Sequence, residues 1–262
     1  PPQATDTSSS LSLANVRASL IRQEDTIVFA LIERAQWARN VGVYTPGAVP
    51  LPPPPPGSPP PSLLEWLLRG TEAVHGAVRR YTSPDEAAFF PASLPDAVLP
   101  PLDYATSPLA ACGDAVDLNR EILDAYVSDI VPRIAAAGDD GNLGSAAVAD
   151  VACLQALSKR VHYGKFVAEA KYRADAGAYR ADAAARDAAA ILARLTDAAV
   201  EDAVVARVRA KAAAFGADVG GSGDGPGRKV DPDAVAAVYR EWVLPLTKEV
   251  QVRYLLARPG CD

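Results

Sequence analysis

The chain is poor in the residues that most often bind metals or form cross-links, with no methionine, two histidines and three cysteines in 262 residues. Cys112, Cys153 and Cys261 are odd in number, far apart in the sequence and outside any Cys-x-x-Cys motif. This pattern predicts neither a disulfide framework nor a zinc site, and it favours a reducing compartment. His75 and His162 lack partners at metal-ligand spacing, so we interpret both as ordinary helix residues.

An excess of positive charge and long apolar runs are also missing. The net charge is −6 and the isoelectric point is near 5.1, which is atypical of a nucleic-acid-binding protein. No apolar run approaches the length of a membrane span. Residues 1–10 are polar and show neither a signal-peptide core nor an Arg-rich transit pattern. We therefore expect no nucleic-acid or membrane partner and a cytosolic location, with a plastid form that has lost its transit peptide as the alternative.

Apolar residues are abundant, at 49% of the chain, so a substantial core can form in one large domain or two small ones. Helical periodicity predominates, and no convincing period-two pattern indicates a strand. We predict an all-α fold with a single multi-helix domain over residues 1–262, preceded by a disordered tail at residues 1–10.

Local signals place several helix boundaries. Ser62-Leu-Leu-Glu65 is a capping box that begins one helix. Asp231 followed by Pro232 begins the last helix, for which Pro245 predicts a break. A helix from about 117 to 137 contains a proline, Pro132, which predicts a kink.

The Ala-rich stretch 146–211 predicts two or three helices. Two other segments read as loops. Residues 50–61 include nine prolines and must be extended; a surface loop is favoured over an SH3-type ligand because no flanking basic residue completes a ligand motif. Residues 220–229 are Gly-rich but lack the Gly-Lys-[Ser/Thr] of a phosphate loop, which indicates a flexible turn.

Two cations mark a candidate binding site. Arg160 and Lys171 are eleven residues apart, about three helical turns, so they share one stripe of a helix. Gly164, Val167 and Ala168 lie between them on that stripe and are small. Two cations above small apolar groups indicate an anionic ligand; the alternative is a solvated stripe with accidental spacing.

Three other helices carry residues that favour a binding site. Arg17 adjoins the core-facing surface of the first helix, although a snorkelling arginine has the same pattern. Asp197 with Glu201, and Thr247 with Gln251, are i,i+4 pairs that each share a helix face. The chain contains no Gly-x-Ser-x-Gly motif, so a serine hydrolase is not supported. The chemistry that is still supported is the binding of a ligand by fixed charges, which suits a reaction that needs neither a nucleophile nor a metal.

Several segments now identify a family. They resemble signature segments of the all-helical eukaryotic chorismate mutases of plants and fungi, most of all the plant enzymes, and they are Asn15–Asp25, Arg79–Glu86, Leu154–Lys171 and Leu246–Val250. The third is the longest and most specific, and the match extends over nearly the whole chain. The resemblance implies an all-helical homodimer with one active site per subunit. It also implies that chorismate is isomerised to prephenate without a cofactor, a step in Phe and Tyr biosynthesis.

The resemblance also implies roles for individual residues. Arg17 and Arg160 match the arginines that hold the two carboxylates of the substrate. Lys171 matches the lysine that donates to the ether oxygen whose bond breaks. Glu201 matches the acid that meets the substrate hydroxyl, and Thr247 matches a threonine beside a bound carboxylate.

Two site positions depart from the fungal pattern. This chain has Asp197 where fungal enzymes carry asparagine, and a carboxylate near a dianion is costly unless Arg or Lys pairs with it. It has Gln251 where they carry a glutamate beside the ether oxygen. A glutamate must be protonated to donate a hydrogen bond, whereas the Gln amide donates at any pH. We therefore expect activity to be nearly flat from mildly acidic to mildly alkaline pH.

Many relatives have a second site for aromatic amino acids at the dimer interface. The matching positions are Arg79, Arg80, Asn142, Gly144 and Ser145. Val148 stands where a fungal threonine helps to hold the effector, and a cap at a helix end is an alternative role for the two arginines. The sequence leaves open whether Trp, Tyr or Phe regulates this protein.

Two functions from other classes remain alternatives. One is a catalytically inactive helical relative that binds aromatic amino acids, against which the retained set of site residues argues. The other is a scaffold that binds a partner through Pro50–Pro61, which deletion of that loop would test.

Overall fold

The computed structural model describes residues 12–54, 57–100, 107–217 and 229–261. Within these ranges the chain is helical and contains no β-strand, so the predicted all-α class is confirmed. The predicted tail at residues 1–10, the middle of the proline-rich loop at 55–56 and most of the Gly-rich run, at 220–228, lie outside the described residues. None of the described helices is long and apolar enough to cross a membrane.

The described ranges contain eleven α-helices, which we number in chain order. They are α1 (Leu13–Ala35), α2 (Leu63–Ala77), α3 (Asn119–Ala125), α4 (Val131–Ile134), α5 (Leu143–His162), α6 (Gly164–Ala174), α7 (Ala176–Ala184), α8 (Ala188–Leu195), α9 (Ala198–Phe215), α10 (Pro232–Val238) and α11 (Leu244–Ala257). Helix α1 packs on α5 and α9, and α11 packs on α5, α6 and α8. The helices that carry three of the four signature segments, α1, α5 with α6, and α11, therefore meet around one core.

Both predicted helix starts are confirmed. The Ser62 hydroxyl accepts the N–H of Glu65 at 3.2 Å, and the Glu65 carboxylate accepts the N–H of Ser62 at 2.9 Å, which completes the capping box of α2. The Asp231 carboxylate accepts the N–H of Asp233 at 2.9 Å, with Pro232 at the first helical position of α10. Each cap satisfies an amide that the helix itself leaves free.

The predicted break at Pro245 is wrong. A π-helical turn, Tyr239–Val243, joins α10 to α11, and the helical path continues from Pro232 to Ala257. A second π-helical turn, Tyr126–Ile130, joins α3 to α4 just before Pro132. A proline lacks an N–H and its ring clashes with the preceding α-helical turn, so a wider turn accommodates the ring without ending the helix.

The Ala-rich region was predicted to form two or three helices, and this count is wrong. It forms five, α5 to α9, within residues 143–215. Three aspartates begin the last three of these helices by accepting backbone N–H groups: Asp175 from Ala178 at 3.3 Å, Asp187 from Ala190 at 2.9 Å and Asp197 from Val200 at 3.2 Å. Aspartate is a strong N-cap, and these caps divide a stretch that is otherwise uniformly helix-forming.

A buried ion pair fixes α1 against α5. Arg34 donates from Nε to Asp150 at 2.5 Å, and both side chains are fully buried. The hydroxyls of Tyr44 and Tyr126 donate to the same carboxylate at 2.8 and 2.7 Å. Loss of one partner would leave a buried charge uncompensated, at a cost of about 3 to 5 kcal/mol.

Helix α6 approaches α11 closely at Gly164. A Cβ added there would lie 2.8 Å from the carbonyl oxygen of Thr247 and 3.2 Å from its methyl group. Because backbone cannot move aside as a flexible side chain can, only glycine fits at this crossing. The contact lies beside Thr247, one of the predicted site residues.

Candidate active site

One cavity of about 210 Å³ lies between the beginnings of α1, α9 and α11, the end of α5, and the facing sides of α6 and α8. All seven residues predicted for the active site line it, namely Arg17, Arg160, Lys171, Asp197, Glu201, Thr247 and Gln251. Most of the remaining lining is aliphatic. The structure thus brings together polar groups from five helices in an apolar enclosure.

The predicted single stripe needs one correction. Arg160 lies in the last turn of α5 and Lys171 in α6, and Tyr163 separates the two helices. Tyr163 keeps right-handed helical dihedral angles, with φ −61° and ψ −13°. The chain therefore changes direction little at this residue, and both cations still line the same cavity.

Arg160 lies at the buried end of the cavity and is 4% exposed. Its guanidinium donates to the Thr247 hydroxyl at 3.1 Å, while its Nε–H finds no acceptor among the described atoms. Burial lowers the pKa of the Arg160 guanidinium, and the charge of Glu24 opposes this only in part. A buried cation with a free donor is costly unless an anion meets it.

Glu24 is the nearest carboxylate to support Arg160, but other cations already bind it. Arg207 donates to both of its oxygens at 2.8 and 2.6 Å, and Lys211 donates at 3.1 Å. Glu24 is 1% exposed and stabilises Arg160 through space. The guanidinium of Arg160 therefore remains available to a ligand.

Lys171 lies across the cavity and donates to the carbonyl oxygen of Leu195 at 3.0 Å. Burial lowers the pKa of the Lys171 ammonium, the charges of Asp197 and Glu201 raise it, and Arg17 lowers it further. An ammonium has three N–H donors, so two remain for a ligand after the bond to Leu195.

Asp197 and Glu201 are held by different partners. Asp197 caps α9, where the helix N-terminus favours its negative charge, and it also supports Lys171 electrostatically. This arrangement accounts for the carboxylate that the sequence alone could not explain. Both oxygens of Glu201 accept from Lys248 at 3.0 Å.

Sequence reasoning missed Lys248, which also lines the cavity. A signal was present, because Lys248 follows Thr247 directly and lies three residues before Gln251, within the last signature segment. On a helix, Lys248 and Gln251, three residues apart, share one face. What the sequence could not show is that the partner of Lys248 would be Glu201.

Thr247 and Gln251 are anchored to their own helix. The Thr247 hydroxyl donates to the carbonyl oxygen of Val243 at 2.6 Å, which leaves its lone pairs directed at Arg160. The Gln251 amide donates to the carbonyl oxygen of Thr247 at 3.2 Å. Its second N–H stays free to donate into the cavity at any pH.

The predicted effector residues lie apart within this chain. Arg79 donates to the carbonyl oxygen of Pro100, and Arg80 donates to Glu86 at 3.1 Å and to Gln155 at 3.0 Å. The other three, Asn142, Gly144 and Ser145, are exposed at the beginning of α5. Thirteen residues of α5 separate Asn142 from Gln155, which is about 20 Å along the helix.

Among the described residues, no group of three or more His, Cys, Asp or Glu side chains is placed to hold a metal ion. His162 is buried, and its Nε2 accepts the backbone N–H of Leu118 at 3.0 Å. His75 contacts Arg80 and Gln155. Both histidines therefore have structural partners outside the cavity.

Comparison with known proteins finds chorismate mutases of plants and fungi. A family model described as chorismate mutase type II matches residues 144–252. The chloroplastic chorismate mutase 1 of Petunia hybrida is 46% identical over 97% of this chain and 78% of its own length. The chorismate mutase of Emericella nidulans is 45% identical over 97% of this chain and 95% of its own length.

Solved structures show the same fold. The crystal structure of a Candida albicans chorismate mutase in complex with L-Trp has a TM-score of 0.89 and 41% identity, and the match covers 96% of this chain and 93% of that one. Two further crystal structures, both of one relative that is 46% identical, AtCM1, hold phenylalanine or tyrosine in an allosteric site. The helical fold and the identity over nearly the whole length lead to one conclusion: this chain is an isomerase that belongs to the chorismate mutase type II family.

Proposed function

We propose that the cavity lined by Arg160 and Lys171 converts chorismate to prephenate. The observation that carries the proposal is Arg160, a buried guanidinium that lines an apolar cavity and whose Nε–H has no acceptor among the described atoms. Chorismate is a dianion with two carboxylates, so it supplies the charge that this site lacks. The reaction breaks one C–O bond and forms one C–C bond within the same molecule, and therefore consumes no proton, electron or second substrate.

Binding provides part of the rate acceleration. Arg160 at the buried end and Arg17 at the exposed mouth are placed to hold the two carboxylates at opposite ends of the cavity. A substrate held at both ends, with aliphatic walls around it, is restricted to its folded reactive conformer. Such restriction converts lost conformational freedom into a lower barrier.

Electrostatic stabilisation provides the rest. As the C–O bond breaks, the ether oxygen gains negative charge, and Lys171 and Gln251 are the donors placed to meet it. One preorganised donor is typically worth about 3 to 4 kcal/mol, and a modest enzymatic acceleration requires about 8 kcal/mol. Two donors together with conformer selection account for that requirement.

The paired acid and base at the cavity wall orient the substrate. We expect Glu201 to accept from the substrate hydroxyl, and Lys248 holds the Glu201 carboxylate in position with two hydrogen bonds of 3.0 Å. Thr247 lies beside Arg160 and is placed to contact the same carboxylate. Asp197 acts through Lys171, whose charge it supports.

The test is the loss of chorismate absorbance when purified protein is added without metal or cofactor. Prephenate is then confirmed by its acid conversion to phenylpyruvate. We expect rapid turnover that survives treatment with a chelator. A folded protein without turnover at any pH would overturn the proposal, and binding of an aromatic amino acid by that protein would favour the inactive relative.

We further propose that two copies of the chain form a homodimer through the outer face of α2. Trp66 in the first half of α2 is 43% exposed, and Val74 near its end and Val78 at its C-cap are 67% and 51% exposed. Three large exposed apolar side chains along one helix are unusual on a surface that contacts only water. A second copy of the same helix covers such a face in a symmetric, self-complementary way.

A dimer also bears on the effector residues. Arg79 and Arg80 follow the end of α2, whereas Asn142, Gly144 and Ser145 lie about 20 Å from the Arg80 contact along α5. We propose that the two groups meet across the interface, one group from each copy. Relatives bind Trp, Phe or Tyr, but Val148 here is apolar and 61% exposed, which weakens hydrogen bonding to an amino-acid headgroup.

Rate assays with added Trp, Tyr and Phe test this second site. A change in rate with one of them that is lost in Arg79→Ala would support it. The absence of any response, in a protein that dimerises, would mean that the site does not operate in this chain.

For the compartment, we propose the cytosol, with the plastid as the alternative. The three free cysteines favour a reducing compartment such as the cytosol, whereas several plant relatives are named as chloroplastic. Fractionation of cells that express the protein, followed by detection with a specific antibody, distinguishes the two.

A further inference from the structure

Two of the three cysteines, remote in the sequence, meet in the folded chain. Cys112 lies in a short helical turn, Ala111–Ala115, and Cys261 lies in the turn Arg258–Cys261 that follows α11. The two turns pack against each other, and the Cys112 thiol interacts with the Cys261 thiol. Both are half-buried free thiols.

Contacts that do not involve sulfur hold both turns in place. The N–H of Ala110 donates to the Tyr254 hydroxyl at 3.0 Å, and that hydroxyl donates to Glu169 at 2.7 Å. Arg258 donates to the same carboxylate at 2.8 Å. The two turns that carry the thiols are thus held against each other, which favours the formation of a bond between Cys112 and Cys261.

We propose that Cys112 and Cys261 form a reversible intramolecular disulfide. The oxidant is a disulfide of the glutathione class. One cysteine thiolate attacks the oxidant and releases one molecule of its thiol, and the second cysteine then displaces the other. Two protons and two electrons leave the protein, one S–S bond forms within it, and the oxidant is reduced to two thiols.

The two cysteines have different parts in this exchange. Burial raises the pKa of the Cys112 thiol to about 12, and the neighbouring Cys261 adds to this effect. A thiol with so high a pKa is almost entirely protonated at neutral pH and attacks slowly. We therefore expect Cys261 to react first with the oxidant and Cys112 to resolve the mixed disulfide.

The bond would join the end of α11 to the segment that precedes α3. It closes a long loop of the chain and so restricts the unfolded state far more than the folded one. For a chain of this size we expect the melting temperature of the oxidised protein to rise by about 5 to 15 °C. Turnover should remain unchanged, because Arg258 and Tyr254 already fix this end of α11 on Glu169 in the reduced protein.

The experiment incubates the folded protein with oxidised glutathione, alkylates the remaining thiols and identifies linked peptides by mass spectrometry. We expect titratable thiols to fall from the three of the reduced chain to one, with a peptide pair that joins Cys112 to Cys261. Dithiothreitol should restore all three thiols and the lower melting temperature.

Cys112→Ser and Cys261→Ser should each abolish the linked peptide and the rise in melting temperature. Cys153→Ser is the matched control, since Cys153 is fully buried and lies apart from the pair, and it should retain both. The proposal is overturned if oxidation gives no linked peptide, if the bond joins two copies on a non-reducing gel, or if the rise persists in Cys112→Ser.

Discussion

Arg160 is a buried cation to which no carboxylate is bonded among the described residues. It is almost fully buried, it bonds to the neutral hydroxyl of Thr247, and the nearest supporting carboxylate, Glu24, is bound by Arg207 and Lys211. A free protein gains nothing in stability from such an arrangement. A carboxylate of the proposed substrate, bound in the cavity, would offset that cost.

Removal of the cations should affect two kinetic parameters differently. Lys171→Ala should lower kcat about 10²- to 10³-fold with a smaller change in KM, because Lys171 meets charge that develops only in the transition state. Arg160→Ala should lower kcat and raise KM, since a carboxylate is bound in both states. Steady-state assays check both, with the exposed Lys229→Ala as the control. Turnover near that of the wild type in both variants would show that the site lies elsewhere.

In the wild-type enzyme, the pH dependence of kcat should follow the ionisation of Lys171, because the Gln251 amide does not titrate. Catalysis needs the protonated ammonium, and burial lowers the pKa of Lys171, so activity should be flat through neutrality and then fall as the pH rises through that lowered pKa. Gln251→Glu should move the fall to lower pH, because the new carboxyl donates only while protonated. Profiles of kcat for both proteins, measured at constant ionic strength, check this. A wild-type enzyme whose activity already falls before the rising pH reaches neutrality would contradict it.

At the residue scale, the sequence identified the cavity residues but not all of their partners. The family resemblance placed Arg17, Arg160 and Lys171, and the structure gathers them in one cavity. It could not show that Asp197 caps α9, because a cap depends on where the helix begins. Nor could it pair Lys248 with Glu201, which lie 47 residues apart on different helices.

Among the elements, α6 and α11 cross closely at Gly164, beside the cavity residue Thr247. Gly164→Ala would place a methyl group 2.8 Å from the carbonyl oxygen of Thr247. We expect a loss of about 1 to 3 kcal/mol in the free energy of unfolding, together with lower kcat because Thr247 shifts. Denaturant unfolding and kinetics measure the two effects.

The matched control is Gly177→Ala in α7, where an added Cβ meets nothing within 4 Å. That change should leave kcat unaltered and stabilise the fold by about 0.4 to 1 kcal/mol, since alanine restricts the unfolded chain. Equal effects of the two substitutions would mean that the close crossing at Gly164 has no particular importance.

The elements also show where helix prediction fails. Capping signals at Ser62 and Asp231 are local, since donor and acceptor lie within three residues of each other, and both were read correctly. Pro245 is a local signal too, but a π-helical turn upstream accommodates its ring. Whether a proline ends a helix or widens it depends on the packing of the whole segment, and α10 and α11 are held on α9 and α6 on either side of that turn.

For the whole molecule, the exposed face of α2 should determine the oligomeric state. We expect the 27.3 kDa chain to have twice that mass in solution, and Trp66→Glu to yield the monomer, because a buried unpaired carboxylate at the interface is costly. Light scattering after size exclusion measures both masses. Leu192→Glu, a similar change at an apolar residue 41% exposed on α8, should leave the dimer intact. A monomeric wild type, or a dimeric Trp66→Glu, would refute the proposed interface.

The sequence by itself determined the helical class, the caps of α2 and α10, and the identity of the cavity residues, because these depend on periodicity, on neighbours a few positions apart and on a recognisable signature. Only the tertiary structure decided which charges are paired and which are free. Glu24 is bound by α9 and so leaves Arg160 for a ligand, and Cys112 meets Cys261 across 149 positions of chain. Contacts between distant segments arise from the packing of all helices together, and no local pattern encodes them.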